Sequence, residues 1–159
     1  MEQKNITRWL KAATIAIGLL GLAFFGGFTL YAFKFKPDYN DSIPIYIRQN
    51  IFFLWVTALF CYLILFFFWR IINEIGKDNS FSMENVANFK KMAFCGGMIG
   101  FQYLIRILIW FVEGNLNLIA ISYTLLKIIV FIIFDILCIA MSKLVQNAYE
   151  IKQENDLTI

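Results

Sequence analysis

Four long apolar stretches alternate with short polar ones along the chain. No charged side chain falls within residues 12–33, 49–69, 92–105 or 114–126, and the last two stretches run on past one or two ionisable residues. Buried strands would be shorter and punctuated by turns. A helix rises 1.5 Å per residue, so about 20 apolar residues cross the ~30 Å hydrocarbon layer of a bilayer. The pattern predicts transmembrane helices over about 12–33, 50–72, 92–112 and 118–141, forming a single membrane domain. The fold class expected is all-α: a polytopic four-transmembrane-helix bundle, since helices satisfy every backbone group within lipid.

Composition agrees. Hydrophobic residues are 60% of the 159 and charged residues 16%, against about 45–50% and about 25% in soluble chains. A small soluble domain cannot hide that much apolar surface. Lys4, Arg8 and Lys11 precede the first stretch as in a signal peptide. The stretch is long, however, and GGFTLYAF offers no Ala-x-Ala site, so a retained span is expected.

Charge sets the expected orientation. The N-terminal segment, the second loop with the Arg70 that leads into it, and the tail together carry nine Lys and Arg. The first loop carries Lys34, Lys36 and Arg48, and the third loop, EGNLN, carries none. By the positive-inside rule both termini face the cytoplasm. The expected location is the bacterial cytoplasmic membrane, multi-pass.

The loops add local signals. In KFKPDYNDSIPIYIRQ, Pro37 and Pro44 interrupt helix. SIPIYI suits a short interfacial piece, and Tyr31, Tyr39 and Tyr46 suit either headgroup anchoring or an external mouth. In GKDNSFSMENV, Ser82 is a helix cap, Glu84 suits the positive helix end, and Phe81 and Val86 occupy the staple positions. The third helix is expected to start near Met83, with Lys90 and Lys91 at the headgroups. Gly96-x-x-x-Gly100 predicts close helix packing, within the chain or between copies. In the tail, KLVQNAYEIKQENDLTI, the fourth helix should continue about two turns past lipid and fray at Asn155-Asp156. Leu157 and Ile159 would then dock on the capped loop at Phe81, Ser82, Glu84 and Asn85, or engage a partner.

Charges within spans are the candidate chemistry. Lys127 and Asp135 share a helix face with Thr124, Phe131, Cys138 and Ser142. Gln102, Arg106 and Glu113 form a second stripe, on the third helix. An ion at such depth is costly unless paired, hydrated or neutral. One reading has Arg106 and Lys127 snorkelling outward, Glu113 drawing Arg106 with it, and Asp135 reaching inward toward water, Lys90 or Lys91. The other has Gln102, Arg106, Lys127 and Asp135 lining a polar cavity for an ion, proton or small ligand.

The chain has no His, and Cys61, Cys95 and Cys138 are dispersed. Those facts argue against His-based triads, zinc motifs and Cys-x-x-Cys centres. No catalysis, metal or other cofactor is expected. The net charge of +3 follows from topology and calls for no nucleic-acid partner.

NSFSMENVANFKKMAF (79–94) and the ending YEIKQENDLTI (149–159), together with four spans, resemble the DUF2975 family of small bacterial membrane proteins. The resemblance implies no catalytic or binding residues. It does imply a functional link to a helix-turn-helix regulator, because members are encoded beside such proteins. The function expected is a noncatalytic membrane module, regulatory, sensory or protective through a protein partner. The alternative is a small transporter or channel component using an intramembrane polar cavity. Membrane lipids and a homo-oligomer are the other associations expected.

Overall fold

The computed structural model describes residues 2–34, 50–114 and 117–157, with side chains from 4 to 155 within those ranges. Four helices occupy nearly all of them: α1 (Glu2–Lys34), α2 (Ile51–Ile75), α3 (Met83–Val112) and α4 (Leu118–Leu157). No strand occurs among the described residues. Each helix is long and apolar enough to cross a membrane. The reading of SIPIYI, Tyr39 and Tyr46 falls outside the described residues, as does Ile159.

Successive helices run antiparallel. Thr7 of α1 lies beside Gly76, and Gly21 lies beside Tyr62. Tyr103 of α3 faces Thr57 of α2. Ser142 of α4 reaches the Val86 carbonyl of α3. One end of the bundle therefore carries the start of α1, the α2–α3 loop and the end of α4. We call it the termini end, and the opposite end, with the α3–α4 turn, the hairpin end. The packing is α1 on α2, α2 on α3 and α3 on α4. No Cα of α1 lies within 8 Å of one in α4, so the bundle is open along that side among the described residues.

The interior is more polar than the surface. Thr57, Asn85, Asn88, Gln102, Arg106, Thr124 and Ser142 are buried, while Leu125, Ile129, Ile133 and Ile136 of α4 are exposed. Water would penalise that arrangement, whereas hydrocarbon favours it, since lipid tails solvate Leu and Ile and drive polar groups inward. The buried stripe of α4 is Thr124, Ile128, Cys138, Ser142 and Val145, with half-buried Phe131 and Asp135 completing steps of three and four. That is the seam of an antiparallel helix pair. α3 is the central helix, burying residues against both neighbours.

α3 begins at Met83, and the Asn85 backbone N–H donates to the Ser82 hydroxyl at 3.2 Å. Ser82→Ala should lower stability by about 1 kcal/mol, and Ser82→Asp should restore it. Thermal unfolding in detergent, followed by circular dichroism, measures both. Val86 is buried, but Phe81 stands 52% exposed. α3 ends at Glu113, and Gly114 takes the left-handed conformation (φ 68°) that lets the chain turn without a Cβ clash. The Asn117 side-chain oxygen then accepts from the backbone N–H groups of Ile119 and Ala120, opening α4.

The expected fraying at Asn155-Asp156 does not occur: α4 continues to Leu157. Gln146 donates to Glu150 at 3.0 Å and Gln153 to the Tyr149 hydroxyl at 2.7 Å, both one turn apart. Such pairs support helix beyond the apolar stretch.

Candidate functional site

At the hairpin end all four helices contribute to one cavity of about 430 Å³. α1 supplies Phe24, Phe25 and Phe28; α2 supplies Asn50, Phe53 and Thr57; α3 supplies Tyr103, Arg106 and Trp110; α4 supplies Thr124, Lys127 and Phe131. The walls are mostly aromatic, and the charges are two cations.

Arg106 is buried, and its position is fixed from three directions. Its Nε donates to the Asn50 side-chain oxygen at 2.7 Å. Its guanidinium lies 5.3 Å from the Phe53 ring centre and 5.0 Å from that of Trp110. The electron-rich ring faces partly replace the hydration that the cation has lost. Lys127 is exposed and places its ammonium 5.0 Å over the Tyr103 ring. Among the described residues, neither cation pairs with a carboxylate.

A polar network lies beneath. The Gln102 amide donates to the Thr57 hydroxyl at 2.5 Å. The Thr57 hydroxyl donates to the Phe53 carbonyl at 2.8 Å and is 3.0 Å from the Tyr103 hydroxyl. The Gln102 side-chain oxygen is buried with no hydrogen-bond partner. This network orients Tyr103 beneath Lys127.

The structure thus groups Gln102, Arg106 and Lys127 and leaves Asp135 apart. Glu113 caps α3 from an exposed position and does not draw Arg106 outward; Asn50, 56 residues away, holds it instead. Asp135 does not reach Lys90 or Lys91. It lies about 12 Å further along α4 than Lys127, at 1.5 Å per residue, and its carboxylate rests against Gly96 and Gly97. Its Oδ1 is buried without a hydrogen-bond donor. The Gly96-x-x-x-Gly100 motif therefore makes an intrachain contact at Gly96, whereas Gly100 has nothing within 4 Å of where a Cβ would stand. Lys91 lies 5.6 Å over the Phe67 ring.

The capped loop at the termini end is held together internally. Ser82 and Asn85 are buried, and exposed Glu84 pairs with Arg70. The Asn85 amide donates to the Ser80 carbonyl at 2.9 Å. Buried Glu74 accepts from Lys77 at 2.6 Å and Asn79 at 2.9 Å. The bond to Glu74 holds the Lys77 pKa above its ordinary value. A surface cleft beside this loop collects Lys4, Arg8, Lys11 and Lys77. Of the candidate docking residues, only Phe81 offers a large apolar surface there; the Leu157 side chain lies outside the described ones. Among the described residues no cluster of His, Cys, Asp and Glu has the makings of a metal site.

Sequence reasoning missed Asn50, Phe53, Thr57 and Trp110. Each reads locally as part of an apolar span, and only the pairing of α2 with α3 brings them to Arg106.

The sequence model of a family described as proteins of unknown function, DUF2975, matches residues 2–159. The chain is similar to an uncharacterized membrane protein, YoaS, of Bacillus subtilis (strain 168). The two are 25% identical over 156 residues, which is 96% of this chain and 97% of that one. No solved structure matches the chain.

Proposed function

Because the chain belongs to the DUF2975 family, whose function is unassigned, we propose a role from the site itself. In this reading the protein is a noncatalytic membrane module that senses an anion in the hairpin-end cavity. It reports occupancy through a protein partner at the termini end. Both termini lie in the cytoplasm, so the cavity faces the outer half of the bilayer.

One observation carries the reading: Arg106 and Lys127 line the same cavity with no carboxylate paired to either among the described residues. A buried cation without a counter-charge is costly in hydrocarbon. An anionic occupant would remove that cost, and the fixed position of Arg106 favours binding because little ordering of that donor remains to be done. The capped loop, with Phe81 exposed, supplies the surface for a partner. Transport is disfavoured because the side chains beyond the Thr57–Tyr103 level, Ile99 with Phe60 and Ile64 packed around it, are apolar. They offer a polar solute no partner on the way to the Asp135 level.

The test uses Trp110 as sole tryptophan, with Trp9, Trp55 and Trp69 replaced by Phe, in neutral phosphatidylcholine bilayers. Iodide should quench Trp110 several-fold more strongly in the native site than in Lys127→Gln, and neutral acrylamide should quench both alike. Iodide quenching independent of Lys127 would overturn the proposal.

A further inference from the structure

A second cavity of about 330 Å³ lies next to the first on the side of the termini end, and Phe25 of α1 and Phe131 of α4 line both. Its other walls include Ile17, Cys61, Leu65 and Phe134. They are apolar, and the one hydroxyl among them is already engaged: Tyr62 donates to the Gly18 carbonyl at 2.7 Å. A cationic chamber thus lies against a slot that offers nothing to a polar ligand, with Phe25 and Phe131 as their common wall.

We propose that this paired cavity holds an anionic phospholipid, with its headgroup phosphate between Arg106 and Lys127 and one acyl chain in the slot. The proposal rests on the anion-binding reading above and names the ligand class. Four features support it. The Nε of Arg106 is committed to Asn50, which leaves the terminal nitrogens of the guanidinium for a phosphate, the anion whose geometry that fork matches. Lys127 supplies a second, mobile charge from the adjacent helix, α4. From Asn50, the cap of α2, to Leu65 the two cavities extend about 22 Å at 1.5 Å per residue, close to the ~20–22 Å depth of one leaflet with its headgroups. The bundle is also open between α1 and α4, so a lipid moves in sideways from the bilayer and leaves its second chain outside. A free phosphate would use neither the slot nor the lateral opening.

The experiment is native mass spectrometry of the full chain released from nanodiscs of equal phosphatidylglycerol and phosphatidylcholine. One phosphatidylglycerol should remain bound per chain, preferred about ten-fold over phosphatidylcholine, a factor within the range of one charge-assisted contact. Lys127→Gln should abolish the preference. Ile17→Phe narrows the slot from an exposed position, so the fold survives. It should lower retention of phosphatidylglycerol while leaving Lys127-dependent iodide quenching of Trp110 intact. Equal retention of the two lipids, or retention indifferent to both variants, would overturn the lipid assignment. So would displacement of the lipid by glycerol phosphate at equal concentration, or a lipid-free dimer. If the iodide effect survives any of these results, the anion site stands and only its ligand is wrong. If the iodide effect is itself absent, the site is not an anion site.

Discussion

Replacing Gly96 with leucine should leave no stable bundle. A Cβ at this position would overlap Oδ1 of Asp135 and would stand 3.1 Å from both Asp135 Cγ and the Phe134 ring. Leucine adds three more carbons to a seam where α3 and α4 already touch. Overpacking by single methylenes costs about 1–3 kcal/mol, and a whole side chain here forces the two helices apart. Gly96→Ala is the graded version. The Asp135 carboxylate would have to swing away, and we expect a loss of about 1–3 kcal/mol. Removing the obstructing group should reverse it, so Gly96→Ala combined with Asp135→Ala should be more stable than the two separate losses imply. That coupling identifies direct contact. Gly100→Ala is the control, since nothing lies within 4 Å of its Cβ position; a change within about 0.5 kcal/mol is expected. Thermal unfolding in detergent gives all four values. A Gly96→Leu protein as stable as the native one would show that α3 and α4 do not pack this way.

Arg106→Ala should be the next most damaging change. Truncation empties the space between the Phe53 and Trp110 rings and takes from Asn50 its Arg106 donor. The cavity, the lost ring contacts and the lost charge-assisted hydrogen bond together should cost about 2–4 kcal/mol. Arg106→Lys should recover only part of this, because an ammonium cannot reproduce a planar group that stacks and donates at once. Lys127→Gln should barely change stability, since that side chain is exposed and meets Tyr103 only through a ring face. The two cations thus separate by experiment: Arg106 holds the hairpin end of α2 against α3, while Lys127 is free to serve a ligand. Equal losses at both positions would refute that division.

The sequence carried some of these relationships and hid others. The four helices were legible because uninterrupted apolar length is a one-dimensional property. The start of α3 was legible because Ser82 and the N–H that donates to it are three residues apart. Asn117 before the last apolar stretch offered the same kind of cap signal and went unread. The partner of Arg106 was not legible. Glu113 lies on the same helix and invites pairing, whereas Asn50 sits at the head of another helix whose rotation no local pattern specifies. Gly96 and Asp135 were each singled out, one for its small size and one for its charge. That the first makes room for the second depends on how α3 and α4 turn toward each other. The polarity of the interior was foreshadowed by intramembrane charges, but the aromatic lining of the cavity was not, because eighteen Phe residues give no hint of which few face inward.

The open side of the bundle also bears on assembly. Among the described residues each helix brings its backbone close only to its neighbours in the chain, so no close backbone packing waits for a distant segment to arrive. Each span can settle against the preceding one as it leaves the insertion machinery, and topologies built from such neighbouring contacts form quickly. A ring closed by its first and last helices would instead have to hold α1 unpartnered until synthesis was nearly complete.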